Sequence, residues 1–201
     1  MTQAFWDQRF GRKAFAYGEQ PNDFLVEQAS ALPPGDAICL AEGEGRNAVY
    51  LASLGHRVVA QDFSAVGLAK AQALALRRGV ALRVEQGDLA AWNPSPVSVD
   101  LVVAIWMHLP ASLRRQVLAK AAWALRPGGV LLLEGYGPEQ LGLGTGGPPV
   151  AELLIPSQAL RQELAGLELE LLRDCRRVVQ EGAFHQGESA VVQLRARKPI
   201  P

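Results

Sequence analysis

The sequence predicts an α/β protein built on a doubly wound, mostly parallel sheet. Short apolar runs alternate with segments of helical character through residues 37–133, and this alternation is typical of βαβ units. Crossovers between parallel strands are right-handed, so the helices should cover both faces of the sheet. Gly55 and Gly79 follow two of the helical segments, at the position where a left-handed residue commonly ends a helix.

The individual elements are predicted from these signals in chain order. Residues 1–35 form a cap segment that is rich in aromatic side chains and contains a helix over Asn22–Ala31, with Asn22 as its N-cap. The predicted strands are Ala37–Ala41, Arg57–Gln61, Ala81–Glu85, Val99–Ile105 and Val130–Leu133. The predicted helices between them are Arg46–Leu54, Ser64–Arg78 and Pro110–Leu125.

The last third of the chain has a different pattern. Five glycines and three prolines make Tyr136–Pro149 a loop, and a loop of this length is usually functional. We therefore expect residues 136–157 to shape a substrate pocket. A helix over Ser157–Leu164 should follow, and then two long strands, Leu167–Val179 and Ser189–Arg197, that form an antiparallel hairpin closing the sheet.

The composition limits the kinds of partner. The chain has 201 residues, of which 49% are hydrophobic, and this suits one domain over residues 1–201. Twenty basic residues balance twenty acidic residues, so a large phosphate-neutralising surface is not expected. We predict a small-molecule substrate, no nucleic-acid or membrane partner, and a monomer or weak homodimer.

The cysteines and the apolar runs indicate the location. Cys39 and Cys175 have no neighbouring Cys or His at metal-ligand spacing, so neither a disulfide framework nor a metal site is predicted. The N-terminus lacks the apolar core of a signal peptide, and the longest apolar run, Leu101–Met107, is too short to cross a bilayer. These features predict a cytoplasmic protein.

The turn after the first strand is the candidate cofactor site. Gly43 and Gly45 let the chain turn sharply and let a ligand approach the backbone, and the next helix offers free N–H groups. With Ala48 they match the dinucleotide pattern G-x-G-x-x-G/A, and Asp62 stands at the end of the second strand. A nicotinamide dinucleotide is therefore one interpretation, and a tight βα turn without a ligand is another.

Glu42 favours S-adenosylmethionine over a dinucleotide. A carboxylate beside this turn would repel a pyrophosphate by roughly 3–4 kcal/mol per charge pair at an effective dielectric near 20. The same carboxylate would favour a cofactor that carries an ammonium and a sulfonium. Asp62 could hold the ribose hydroxyls of either cofactor, or it could act only as a surface acid or N-cap partner.

These residues resemble the motifs of class I S-adenosylmethionine-dependent methyltransferases. Glu42–Gly45 is similar to the first motif, Gln61–Ser64 to the second and Gly87–Leu89 to the third. Asp100–Ile105 resembles the fourth strand and Leu125–Gly129 the turn before the fifth. The resemblance spans nearly the whole chain, and it implies a Rossmann-like, seven-stranded sheet with an antiparallel last strand and a cofactor across the carboxyl ends of the strands.

A narrower resemblance is to small bacterial methyltransferases of the tellurite-resistance and thiopurine type. It rests on Phe5–Phe10, Tyr17–Asn22, Gly45–Ala52 and Glu181–His185. Gln186 follows His185, where the tellurite enzymes tend to have Arg.

The resemblance implies a set of cofactor-binding residues. Glu42 would face the methionine end, Asp62 the ribose, and Asp88 with Leu89 the adenine. The full predicted set is Tyr17, Glu42, Gly43, Glu44, Gly45, Asn47, Asp62, Phe63, Ser64, Asp88, Leu89, Ile105 and Trp106.

The residues after the fourth strand are expected near the transferred methyl group. The Trp106 ring could attract a sulfonium by roughly 0.5–2 kcal/mol, or it could belong to the core. His108 is the candidate general base, because an imidazole titrates near neutrality; a packing or capping role is the alternative. The resemblance also implies that Trp6, Arg9 and Tyr17 of the cap segment cover the cofactor; the alternative is a hydrophobic strap over the sheet. His185 either reaches the site or lies in a turn.

The sequence thus predicts a methyltransferase that uses S-adenosylmethionine, yields S-adenosylhomocysteine and acts on a small molecule. Methyl transfer needs mainly alignment and exclusion of water, so the few ionisable groups near the fourth strand favour a soft nucleophile such as a thiol or a chalcogen. Two alternatives stay open, namely a nicotinamide-dependent reductase and a non-catalytic regulator that binds S-adenosylmethionine.

Overall fold

The computed structural model describes residues 2–201 and contains one seven-stranded sheet with helices on both faces. The strands are β1 (Asp36–Leu40), β2 (Arg57–Asp62), β3 (Arg83–Gln86), β4 (Val99–Ile105), β5 (Leu125–Tyr136), β6 (Glu168–Glu181) and β7 (His185–Arg197). The helices are α1 (Gln3–Phe10), α2 (Asp23–Ala29), α3 (Arg46–Ser53), α4 (Ala65–Arg77), α5 (Ala111–Ala124) and α6 (Ser157–Glu163).

The strand order is β3-β2-β1-β4-β5-β7-β6. Strands β1 to β5 pair in parallel, whereas β7 pairs antiparallel with both β5 and β6. The chain order reverses between β1 and β4, and ligands of open α/β sheets bind at such a switch point, beyond the carboxyl ends of the strands. This topology confirms the predicted fold class.

Two hydrophobic clusters lie on opposite faces of the sheet. One packs Leu118 of α5 and Leu160 of α6 against the strands, and the other packs Leu25 of α2 and Leu51 of α3. Each of these four side chains is fully buried. The helices therefore cover both faces, as the alternation in the sequence predicts.

The predicted helix boundaries are close to the observed ones. The Asn22 side chain accepts a hydrogen bond from the N–H of Leu25 and caps α2, and Ser64 caps α4 through the N–H of Gly67. Gly55 and Gly79 adopt left-handed φ angles of +91° and +67° after α3 and α4. No side chain other than hydrogen takes this conformation without strain.

The last three strands are longer than predicted. β5 extends over Leu125–Tyr136 because Leu125 already pairs with Val99 ahead of a bulge, while Tyr136 pairs with Val191 of β7. The two strands of the hairpin likewise continue until only residues 182–184 separate them. The parallel strand β4 supplies the extra pairing at the start of β5 and the antiparallel strand β7 supplies it at the end, and the apolar run of β5 alone predicts neither.

The predicted cap segment and the predicted loop after β5 contain short helical elements that were not predicted. The predicted cap segment holds α1, while Met1, its first residue, lies outside the described part of the chain. The loop after β5 contains a single 3-10 turn over Pro138–Gln140, and another follows over Ala151–Leu153. Within residues 2–201, no helix combines the length and the apolar character that a bilayer crossing requires.

Candidate functional site

A cavity of about 730 Å³ lies beyond the carboxyl ends of β1, β2 and β4. The cap segment, the loop after β5 and the turn of the β6–β7 hairpin complete its wall. Fifteen of the residues singled out from the sequence line it, namely Trp6, Arg9, Tyr17, Glu42, Gly43, Glu44, Asn47, Asp62, Phe63, Asp88, Leu89, Ile105, Trp106, His108 and His185. Gly45 and Ser64 are not part of the lining.

The two glycines of the first turn serve close packing as well as chain reversal. A Cβ on Gly43 would lie 2.9 Å from the Phe10 ring, and one on Gly45 would lie 2.4 Å from the Cβ of Ala71 on α4. Their φ angles are +63° and +88°. Gly43 therefore lets α1 lie directly on the turn, while Gly45 lets α4 approach α3.

Glu42 occupies the free N-terminus of α3. Its Oε1 accepts hydrogen bonds from the N–H groups of Asn47 and Ala48, at 2.9 and 2.8 Å. Burial raises the pKa of Glu42 to about 7, and the hydrogen bonds and the Arg46 charge offset only part of that rise. Glu42 lies at the cavity wall. A cation bound nearby would favour its ionised form and would therefore lower its pKa.

Asp62 ties the end of β2 to the first turn. Its Oδ2 accepts from the N–H of Gly43 and its Oδ1 from the N–H of Ser64, both at 2.8 Å. Burial raises the pKa of Asp62, against these backbone hydrogen bonds. Within residues 2–201, no Lys, Arg or His lies within salt-bridge distance of Asp62 or Glu42.

The Ser64 side chain contacts the cap segment and does not line the cavity. Its Oγ donates to Asp7 of α1 and accepts from the N–H of Gly67. Its contacts are thus those of a helix cap and a clamp on α1.

Glu44 and Lys70 hold the cap segment in place. Glu44 accepts from the N–H of Ala16 at 2.7 Å and forms an ion pair of 2.5 Å with Lys70. Lys70 also donates to three carbonyl oxygens of the cap segment, those of Phe10, Arg12 and Ala14. Asn47 of α3 also contacts the cap segment, because its Oδ1 accepts a hydrogen bond from the N–H of Asn22.

A buried polar network centred on Glu181 lies beneath the cavity. Oε2 of Glu181 accepts from Arg46 and from the indole of Trp106, each at 2.5 Å, and Oε1 accepts from Asn22 at 2.8 Å. Burial alone would raise the pKa of Glu181, but the His185 ring, the Arg46 guanidinium and the Trp106 N–H together hold it well below its usual range. Sequence reasoning placed Glu181 in a family motif without giving it a role.

The network continues to a second buried carboxylate, Glu134 of β5. Arg177 donates to both of its oxygens, and Asn22 and Gln193 donate to it as well. Two buried carboxylates, the buried Arg46 guanidinium and the partly buried Arg177 guanidinium therefore lie together, and their formal charges cancel. A buried ion cluster of this kind needs complete pairing to be tolerated.

Aromatic rings form the wall between the network and the cavity. Trp106 stacks on Tyr136 at 4.5 Å between ring centroids, and His185 meets both rings edge-on. Tyr17 of the cap segment lies against His185 at 4.6 Å. Trp106 has a left-handed φ of +58°, a costly conformation for a bulky residue and one that occurs mostly at functional sites.

His108 is held by the backbone at both ring nitrogens. Nδ1 lies 2.9 Å from the carbonyl oxygen of Leu153, and Nε2 accepts from the N–H of Tyr136 at 3.3 Å. Burial lowers the pKa of His108 to about 4. These contacts favour the packing alternative over the general base, because the neutral ring already uses its acceptor nitrogen.

The side of the cavity expected for adenine is formed by the turn after β3. Gln61 donates to the carbonyl oxygen of Gly87 at 2.6 Å, and Asp88 accepts from the N–H of Ala90 at 2.8 Å. Leu89 is buried beside them. Within the described residues, no three His, Cys, Asp or Glu side chains converge as a metal-ligand group.

Part of this sequence matches a known protein family. Residues 37–129, a little under half of the chain, match the family described as Methyltransferase domain. That segment contains the turn after β1, Asp62 and Trp106. Over these residues the chain is similar to a methyltransferase domain, and its seven-stranded sheet matches the Rossmann-like methyltransferase fold.

Part of the chain is also similar to a curated methyltransferase. A tRNA 5-carboxymethoxyuridine methyltransferase of Escherichia coli K12 is 35% identical over 101 residues, which are 47% of this chain and 37% of the relative. The chain thus spans little more than a third of the length of the curated relatives it matches.

Solved structures share the fold of the methyltransferase domain across most of the chain. TehB from Haemophilus influenzae superposes with a TM-score of 0.74 at 16% identity, covering 98% of this chain and 66% of that one. A putative methyltransferase from Bacillus halodurans gives a TM-score of 0.72 at 19% identity, covering 89% and 99%. At such identities the likeness concerns the fold alone.

Proposed function

We propose that this protein transfers a methyl group from S-adenosylmethionine to a small-molecule acceptor inside the cavity. The observation that carries the proposal is the cavity itself. Its volume of about 730 Å³ lies within the range of pockets that enclose small ligands and cofactors. The cap segment, which forms part of the cavity wall, is held in place by Lys70 and Glu44, and this arrangement favours an acceptor small enough to enter the cavity.

The charges at the strand ends suit a cationic cofactor. Glu42 and Asp62 line the cavity and receive only backbone N–H groups. S-adenosylmethionine, when bound, supplies an activated methyl group on a positively charged sulfur. We infer that Asp62 binds the ribose hydroxyls, that Glu42 offers the positive end a carboxyl group, and that Asp88 and Leu89 flank the adenine.

The other end of the cavity has a mainly apolar wall, which suits an acceptor with an apolar body. Its wall contains Met107, Leu109, Pro110 and Leu113 beside the stacked rings. His108 has both ring nitrogens engaged, so we assign it no role as a base. An acceptor at this end would have to be nucleophilic without help from His108, and a thiolate that has already lost its proton to solvent, or a chalcogen anion, meets that condition.

The residues of this site would act by alignment and by exclusion of water. Trp106, fixed by Glu181 and Tyr136, presents a rigid aromatic wall at the end of β4, and such a face attracts a sulfonium. Holding the two reactants in line can remove several kcal/mol of the barrier. No step in this scheme requires a proton transfer by the protein.

The tRNA-acting relative makes a nucleic-acid acceptor the competing proposal. The balanced formal charge and the clamped cap segment favour the small molecule. Release of S-adenosylhomocysteine should be measured with purified protein, S-adenosylmethionine and either a panel of thiols and selenols or bulk tRNA. We expect turnover with members of the thiol panel; methylation of tRNA alone would contradict the proposal, and silence with both would favour a non-catalytic regulator.

A further inference from the structure

Arg9 of α1 is a guanidinium on the cavity wall without a carboxylate partner. No Asp or Glu within residues 2–201 lies within salt-bridge distance of it, whereas Arg46, the other guanidinium of the lining, is paired with Glu181. Uncompensated charge at a partly buried position is costly unless a ligand or solvent compensates it. Of the two guanidiniums in the lining, Arg9 is therefore the one without a carboxylate partner among the described residues.

Aromatic contacts hold this guanidinium in a fixed place. Its Cζ lies 4.2 Å from the ring centroid of Phe184 and 4.7 Å from that of Phe5. Nη1 donates to the hydroxyl of Tyr17 at 2.9 Å. A guanidinium has several N–H donors, so an edge of the planar group stays available after these contacts, and a planar carboxylate matches that edge.

A chain of side-chain contacts links Arg9 to Trp106 at the end of β4, where the transferred methyl group is expected. Phe184 belongs to the hairpin turn, and its carbonyl lies beside Gly146 of the loop after β5. The hydroxyl of Tyr17 accepts from Arg9, and the ring of Tyr17 lies against His185. His185 in turn meets Trp106 edge-on. The acidic residues Glu42 and Asp62 lie at the strand ends, where the cofactor is expected, so the two ends of the cavity differ in charge.

We propose that Arg9 binds an anionic group of the methyl acceptor, so that the acceptor is a small nucleophile bearing a carboxylate or a comparable oxyanion. This inference rests on the proposed methyl transfer and adds the charge of the substrate to it. The positive cofactor and the negative acceptor would then enter complementary ends of one cavity.

The test compares two thiols that differ only in charge, para-mercaptobenzoate and para-mercaptobenzamide. Calorimetry on the protein saturated with S-adenosylhomocysteine gives the affinity of each. We expect the acid to bind about tenfold or more tightly than the amide, since hydrogen bonds to charged groups are among the stronger ones. Arg9→Met should abolish the preference, and Arg9→Lys should retain part of it.

Lys13→Met is the matched control, because Lys13 belongs to the same cap segment, is exposed and does not line the cavity. It should leave the preference intact. Equal binding of acid and amide to the wild type, binding of neither, or a preference that survives Arg9→Met would overturn the inference. A weaker affinity of Arg9→Met for S-adenosylhomocysteine, with the preference unchanged, would also overturn it by assigning Arg9 to the cofactor.

The outcomes separate this inference from the proposed function. If the wild type fails to bind S-adenosylhomocysteine, the proposed function itself fails. If it binds that ligand and shows no preference between the two thiols, only the role of Arg9 fails. A third outcome is that the wild type binds bulk tRNA, that Arg9→Met and Lys13→Met weaken this binding to the same extent, and that the acid binds no better than the amide. This outcome would favour a nucleic-acid acceptor and contradict the proposed role of Arg9.

Discussion

The indole Nε1 of Trp106 donates a hydrogen bond of 2.5 Å to Oε2 of Glu181, although 75 positions separate the two residues. The same carboxylate accepts from Arg46 of α3 and from Asn22 at the start of α2. One buried side chain of β6 thus joins the cap segment, the glycine-rich turn and the end of β4. The shape of the cavity wall depends on it.

Replacement of Glu181 should be strongly destabilising. Glu181→Ala leaves the buried Arg46 guanidinium without its partner, and breaking a buried ion pair in this way costs about 3–5 kcal/mol. Glu170→Ala is the control, because Glu170 also lies on β6 but pairs with Arg195 and Arg197 at the surface, where a pair contributes about 0–1 kcal/mol. Urea denaturation measures both losses, and similar values for the two variants would contradict this account of the network.

The glycine-rich turn should tolerate no side chain at Gly45. Gly45→Ala combines a left-handed φ with a clash against Ala71, so we expect about 1–2 kcal/mol from the backbone and a further 1–3 kcal/mol or so from overpacking. Gly79→Ala shares the left-handed φ but meets open space, so it should lose only the backbone contribution. Thermal unfolding compares them, and an equal loss would argue against the close approach of α4.

His108 should stay neutral well below neutral pH. Burial lowers its pKa to about 4, and the carbonyl of Leu153 favours a proton on Nδ1. Nitrogen-detected NMR of the imidazole should show the neutral Nδ1–H form from pH 8 down to about pH 5. A titration near 6.5 would contradict the described contacts and would restore His108 as a candidate base.

Glu42 should couple cofactor binding to pH. Its pKa is raised from 4.5 to about 7, so between those values the folded protein holds a proton that the unfolded chain has lost, and stability falls as the pH rises. A bound cation favours the carboxylate and lowers this pKa. S-adenosylmethionine should therefore release a proton on binding at about pH 6.5, and its affinity should rise with pH up to about 7.

Calorimetry in buffers of different ionisation enthalpy detects that proton. The apparent binding enthalpy should change from buffer to buffer for the wild type and not for Glu42→Gln, whose amide oxygen can still accept from Asn47 and Ala48. A wild-type enthalpy that is the same in every buffer would show that Glu42 does not sense the cofactor.

Much of the fold follows from local sequence signals. The caps at Asn22 and Ser64 and the glycines at Gly55 and Gly79 set helix boundaries within a residue or two, because capping and left-handed φ are local requirements. The extent of β5 does not follow in this way, since its pairing with Val191 depends on a partner far along the chain. Antiparallel closure of the sheet was predictable, but its register was not.

The site shows the same division between local and distant causes. The acids at the ends of β1 and β2 were found because parallel strands bring their carboxyl ends to one edge. Arg46 and Glu181, which form an ion pair, are 135 positions apart in the sequence. The residues next to either of them give no pattern that predicts the pair. The sequence left His108 open between a general base and a packing or capping residue, because the carbonyl of Leu153 and the N–H of Tyr136 become its partners only in the fold.

Calorimetric titration with S-adenosylhomocysteine and with NADH tests the central claim most directly, namely that this cavity holds the methyl-donor cofactor. We expect the wild type to bind S-adenosylhomocysteine and not NADH, and Asp62→Ala to weaken that binding by about tenfold or more, which corresponds to a loss of about 1.4 kcal/mol. Binding of NADH without binding of S-adenosylhomocysteine, or an affinity unchanged in Asp62→Ala, would contradict the account.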